Sequence, residues 1–244
     1  MPSVADAPPS KPSPPEVVAQ ALRSCWERVE KEFRRFRRHA DAAKTHDLRV
    51  ALRRLLVAAE LASALDENLL PPKLERELKG LLGALSPLRD VEIQRQALKE
   101  RTLAPEAERA LKRHLGRRER RERKLLARLL EDFALRKRAH AVARACATLE
   151  VEREQRSPSA RLAVVGAIAR RYVVFDRRRR SSHADLEHLH RVRIAFKQYR
   201  YAVELGASFL RPVPEKARDA MKAFQDRLGD LQDSVVLIDL FSRE

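Results

Sequence analysis

Two segments of the sequence carry histidine, arginine and lysine at the spacing of one helix face. His46, Arg49 and Arg53 follow one another at intervals of three and four residues, which place side chains above one another on a helix. The second segment repeats the pattern, and the candidate binding residues of the two rows are His46, Arg49, Arg53, Arg54, His190, Arg193, Lys197 and Arg200. Arginine cannot ligate a metal ion, whereas its guanidinium group binds phosphate oxygens in pairs. The rows therefore predict an anion site and no metal site.

The two rows belong to a longer internal repeat. The segment that begins at His46 recurs at His190, an offset of 144 residues, and the segment 81–90 recurs at 224–233, an offset of 143 residues. Two motifs at nearly the same offset indicate a duplicated helical unit, either two similar bundles or one bundle with pseudo-twofold symmetry. The second motif ends in Asp90 and Asp233, whose carboxylates would repel phosphate. We therefore assign them a structural role, either orienting arginines or capping a helix start.

Positive charge is concentrated in a few segments of the 244 residues. The 52 Lys and Arg outnumber the 35 Asp and Glu, and the net charge of +17 predicts an anionic partner. Most of the surplus lies in residues 28–38, 109–124 and 170–180, where charge for solubility alone is the alternative explanation. In the segment 109–124 five cations share about 100° of helical arc opposite leucines, and we predict that they also bind phosphate. They are Arg113, Arg117, Arg120, Arg121 and Lys124.

The elements that position these residues are all predicted to be helices. Helix-forming residues fill the chain after residue 15, and no segment alternates like a strand, so we predict an all-α protein. We expect helices at about 16–39, 46–66, 71–100, 104–154 (a break near 136 is left open), 158–179, 184–211 and 214–242. Residues 1–15 contain six prolines and predict a disordered tail. The first repeat would then span 16–154 and the second 155–244.

Composition disfavours several classes of protein. Eight Phe, three Tyr, one Trp and six Gly are few for a β-rich fold or a base-stacking module. Cys25 and Cys146 stand alone, so we expect neither a disulfide scaffold nor a zinc site. No apolar run reaches the length of a membrane span, and the N-terminus lacks the pattern of a signal peptide. We therefore expect a cytoplasmic protein without a membrane partner.

The motifs resemble those of the conserved histidine α-helical domain, or CHAD, family. The resemblance covers about residues 16–244. Its first repeated motif is His46-x-x-Arg49 with Arg53-Arg54-Leu55, and the second copy is His190-x-x-Arg193 with Lys197, Arg200-Tyr201 and Glu204. Its second repeated motif is Leu88-Arg89-Asp90, and the second copy is Leu228-Gly229 with Asp233. It implies two helical bundles related by a pseudo-twofold axis around a basic central pore. The row residues would line this pore, with Asp90, Asp233 and Tyr201 in structural positions. The resemblance also implies binding of inorganic polyphosphate and recruitment to polyphosphate granules.

The sequence departs from the family pattern at several positions. Leu56 and Gln198 stand where the family carries basic residues, and Ser86-Pro87 replaces the glycine of the first loop, which Gly229 keeps in the second. The basic segment within 104–154 has no counterpart in the second half. We expect this segment to compensate for a weaker first-half wall. Alanine at both Arg117 and Arg121 should then weaken polyphosphate binding.

The leading functional hypothesis is non-catalytic binding of polyphosphate, without a cofactor. The alternative is binding to the phosphate backbone of a nucleic acid; net charge does not separate the two, although no helix-turn-helix or zinc-finger signature is present. An enzyme is disfavoured because the sequence has no P-loop and no carboxylate cluster opposite the rows. If His46 and His190 contact phosphate, affinity should rise as the pH falls through about 6.5.

Overall fold

The described part of the chain folds into eight α-helices. The structure, a computed structural model, describes residues 12–100, 104–133, 135–151, 158–181, 185–207, 210 and 214–242. The helices are α1 (Pro14–Arg38), α2 (Ala42–Ser63), α3 (Pro72–Lys99), α4 (Pro105–Asp132), α5 (Leu135–Val151), α6 (Pro158–Arg180), α7 (Leu186–Leu205) and α8 (Glu215–Ser242). Within the described ranges there is no strand, which confirms the all-α prediction. None of the described helices has the length and apolar character needed to cross a membrane.

Capping residues determine where several helices begin. Ser13 and Glu16 form a reciprocal capping box, so α1 begins at Pro14, two residues before the predicted start. Asp41 accepts a hydrogen bond from the backbone N–H of Lys44, and α2 begins four residues earlier than predicted. The break left open near 136 is confirmed, because the chain leaves the helical conformation at Phe133 and thereby separates α4 from α5.

The second repeated motif lies inside helices. Pro87 is an interior residue of α3 and Gly229 is an interior residue of α8. This agrees with the helices predicted over 71–100 and 214–242, and it differs from the loops that the family resemblance implies at these positions. Asp90 and Asp233 also lie well inside α3 and α8, which rules out the predicted alternative that they cap helix starts. The side chain of Asp233 lies outside the described part of the structure.

Packing holds the two motif helices side by side. α1 contacts α2, α5, α6 and α7, and α2 contacts α3, α6 and α7. The large apolar cluster between them includes Leu22, Phe33, Leu52 and Leu85, each less than 2% exposed. Smaller clusters join α3 to α4, and α6 to α7 and α8. Because α2 packs directly on α7, the fold brings the first row of cations next to the second.

Candidate anion-binding site

Four cations from α2 and α7 meet between these helices. Each helix buries an apolar face, with Leu48 and Leu52 on α2, and Val192 and Ala195 on α7. Burial of those faces orients the cationic side of each helix away from the core. We call the four half-buried side chains Arg49, Arg53, Arg193 and Lys197 the central cation cluster.

Lys197 shows how closely the cluster is packed. Burial, together with the guanidinium groups of Arg193, Arg53, Arg49 and Arg200, lowers the pKa of Lys197 to about 7. Two of these arginines belong to α2 and two to α7, so the rows share one electrostatic environment. The Lys197 ammonium group thus lies among positive charges that disfavour its protonated form. A bound anion would relieve this repulsion.

The guanidinium group of Arg49 is fixed by α3. Its Nη1 donates to Oγ of Ser86 at 2.7 Å, and this Oγ donates to the carbonyl oxygen of Leu82 at 3.1 Å. Burial, and then repulsion from Arg53, lowers the pKa of Arg49 to about 10. Burial also lowers the pKa of Arg53. The departure from the family at Ser86 therefore provides an anchor that a glycine at this position could not offer.

Asp90 places one carboxylate among the cations. Burial raises the pKa of Asp90, whereas Arg49, Arg118, His190 and Arg89 lower it, in decreasing order. These four residues come from α2, α4, α7 and α3, so the carboxylate lies where several helices converge. This position suits the predicted role of orienting arginines.

The two motif histidines differ in exposure. His46 is exposed near the start of α2, and His190 is half-buried on α7. Desolvation, followed by the positive charges of Arg89 and Lys197, lowers the pKa of His46. The positive charges next to it therefore favour its neutral form.

Arg54 and Arg200 share one carboxylate at the end of the rows. Arg54 Nη1 lies 2.5 Å from Oε2 of Glu204, and Arg200 Nε lies 3.2 Å from Oε1 of Glu204. Both guanidinium carbons also lie near the ring of buried Tyr201, at 5.2 and 5.7 Å from its centroid. Glu204 thus compensates part of the charge here, and Tyr201 helps to hold both arginines in place.

The five predicted cations of α4 do not join the rows. Leu111 and Leu115 bury one side of α4 against α3, and the predicted cations are exposed on the other side. With Arg109 and Arg128 at either end they form a continuous exposed set that we call the α4 cation stripe: Arg109, Arg113, Arg117, Arg120, Arg121, Lys124 and Arg128.

Two further arginines, Arg118 and Arg89, lie near the central cation cluster, although neither was predicted to be a binding residue. Arg118 donates from Nη1 to Oε1 of Gln94 at 3.3 Å and lowers the pKa of Asp90. Arg89 acts on both His46 and Asp90. Arg89 could have been predicted from the sequence, because it directly precedes Asp90 in a repeated motif. Arg118 lies in a segment with nine basic residues, and its spacing does not distinguish it from them.

The chemistry of the site is that of a cationic anion receptor. Among the described residues, no group of three or more His, Cys, Asp or Glu side chains is placed to hold a metal ion. Arginine and lysine dominate instead, and these residues donate hydrogen bonds without accepting them. Their fixed positive charges can bind phosphate oxygens through charge-assisted hydrogen bonds.

Comparison with known proteins identifies the family. The sequence matches the CHAD domain family over residues 20–242, and the chain therefore belongs to this family. Its fold is similar to that in the crystal structure of the CHAD domain from the plant Ricinus communis, with a TM-score of 0.69 and 23% sequence identity. The similarity covers 97% of this chain and 80% of the plant chain. No curated protein matches the sequence.

Proposed function

We propose that this CHAD domain binds inorganic polyphosphate at the central cation cluster and does not act on it chemically. The observation that supports this proposal is the convergence of the two rows at Lys197, whose pKa falls to about 7 because it is buried among four arginines. Such crowding destabilises the empty protein, because like charges in a partly dehydrated site repel strongly. A polyanion would offset the repulsion with several charge-assisted hydrogen bonds at once.

The helix contacts support a pseudo-twofold arrangement of the binding site. The packing of α1 on α2 and of α2 on α3 has a counterpart in the packing of α6 on α7 and of α7 on α8. α2 contacts α7, and α3 contacts α8, across the two halves. We infer that the two rows form opposite walls of a basic pore, and that α4 and α5 are additions to the first half. Binding in this pore would direct the protein to polyphosphate granules.

The decisive experiment is a titration with polyphosphate at about 50 and 200 mM salt. We expect saturable binding that weakens as salt rises, because each bound phosphate displaces counterions. Excess duplex DNA should not displace the polyphosphate, because a duplex is too wide to enter between two packed helices. Gel electrophoresis after long incubation should show unchanged chain lengths. Absence of binding would contradict the proposal, and full displacement by DNA would favour nucleic-acid binding.

A further inference from the structure

The α4 cation stripe is a second region of concentrated positive charge, and the two acidic residues within its span are not exposed: Glu119 is half-buried and Glu122 is buried. Glu119 forms ion pairs with Arg95 and Arg123 on the side of α4 that faces α3. Glu122 is 8% exposed and pairs with Arg121. The outward face between Arg109 and Arg128 therefore presents cations without an acidic residue among them. Of the charges in this segment, the exposed ones are positive.

The stripe is separated from the central cation cluster by α3. α4 packs on α3, and α3 packs in turn on α2, which carries the first row. The inward-facing Arg118 is the α4 residue that acts on Asp90. The distance along α4 from Arg109 to Arg128 is about 28 Å at 1.5 Å per residue. The stripe is thus long and narrow, and it lies on a different face of the protein.

Several cations of the stripe have no ion-pair partner among the described residues. Arg113, Arg117 and Lys124 are exposed and make no ion pair with any described residue. Exposed like charges along one helix face destabilise the helix slightly, since neighbours three and four residues apart repel each other. Selection for solubility alone would be satisfied by charges of both signs spread over the surface.

We propose that the α4 cation stripe is a second polyphosphate-binding surface, which holds the part of a long chain that extends beyond the central cation cluster. This inference rests on the proposed function. A narrow line of cations complements a flexible linear polyanion, which can follow a convex helix. An anionic membrane fits less well, because the exposed leucines of α4, Leu125 and Leu129, lie to one side of the stripe and not along it. Occupation of both surfaces by one chain would raise its affinity through effective concentration.

The proposal predicts a dependence on chain length. A short polyphosphate should occupy the central cation cluster alone, whereas a chain long enough to reach α4 should bind at least about tenfold more tightly. The test variant is Arg113→Gln with Arg117→Gln and Lys124→Gln, since glutamine is a good helix former and all three sites are exposed. The matched control removes three exposed cations of α6 by Arg161→Gln, Arg170→Gln and Arg177→Gln.

The affinities of short and long polyphosphate are measured for the wild-type protein, the α4 variant and the α6 variant. The α4 variant should lose most of the long-chain advantage and keep its short-chain affinity, and the α6 variant should keep both. The inference is overturned if the α4 variant retains the advantage, if the α6 variant loses as much, or if both chain lengths weaken equally. A loss confined to duplex DNA would instead assign the stripe to nucleic acid. If wild-type protein binds neither chain, the proposed function itself fails.

Discussion

The central cation cluster and the α4 cation stripe use the same types of side chain in opposite surroundings. The cluster is half-buried between α2 and α7, and Ser86 fixes one of its arginines. The stripe is exposed along one face of α4. The comparison therefore separates the effect of position in the fold from that of residue type.

Dehydration explains why the two regions should differ in strength. In the cluster, burial and mutual repulsion lower the pKa values of Arg49, Arg53 and Lys197, so the charged forms of these side chains are disfavoured there. Interactions between charges are stronger where water is excluded, and a phosphate bound there should gain more per contact. Around the stripe, water and salt screen every interaction, so its cations contribute through their number. We therefore expect few strong contacts in the cluster and many weak ones on α4.

The largest difference between the two regions should appear on neutralising a pair of cations. Arg53→Gln with Arg193→Gln removes one guanidinium from each wall of the proposed pore, and we expect short-chain polyphosphate affinity to fall by about 100-fold or more. Loss of two charge-assisted hydrogen bonds at about 1.5–3 kcal/mol each supports this magnitude. Isothermal titration calorimetry would measure it.

The matched control for this pair lies on the stripe. Arg113→Gln with Arg117→Gln removes the same charge from exposed positions and should change short-chain affinity by less than about threefold, as exposed ionic contacts are weak. Equal losses in the two double variants would contradict the distinction between cluster and stripe. Thermal unfolding of both proteins would verify that each retains its fold.

The next effect is a dependence on pH that only the central cation cluster should show. Lys197 has a pKa of about 7 in the empty protein, and a bound polyanion favours its charged form. Affinity should therefore rise as the pH falls from 8 to 6, by at most about tenfold per pH unit for one proton taken up. Because the pKa of His46 is lowered, its contribution should lie below about pH 6.5.

The variant Lys197→Met tests whether Lys197 causes this pH dependence. Lys197→Met should bind polyphosphate more weakly and show little change in affinity between pH 8 and 6.5. The α4 triple variant should keep the wild-type pH profile, since its substitutions lie outside the cluster. A wild-type profile that persists in Lys197→Met would show that another group takes up the proton.

The sequence predicted the helices and the faces that bear the cations, because both depend on local spacing. The 3.6-residue period placed Arg49 and Arg53 on one face of α2, and it placed Arg113 and Arg117 on one face of α4. Which face meets another helix is a property of tertiary packing. The period therefore did not reveal that the α4 stripe lies apart from the two rows.

Individual electrostatic environments were less predictable from the sequence. The approach of Arg118 to Asp90 depends on how α4 lies on α3, and the burial of Lys197 depends on two helices far apart in the chain. Contacts between distant segments determine both features.

The last prediction concerns stability and would test whether the crowding of positive charge around Lys197 destabilises the folded protein. The pKa of Lys197 is about 7 in the folded protein against 10.5 normally, so the unfolded chain binds more protons between these values. The penalty is fully present below pH 7 and disappears as the pH rises toward 10.5, so wild-type stability should increase across this window. Lys197→Met should remove the penalty and raise the melting temperature at pH 6 by about 2–4 °C for each kcal/mol relieved. Differential scanning calorimetry at pH 6 and 9.5 should show the gain shrinking at the higher pH, and a gain that is equal at both values would mean that methionine merely packs better.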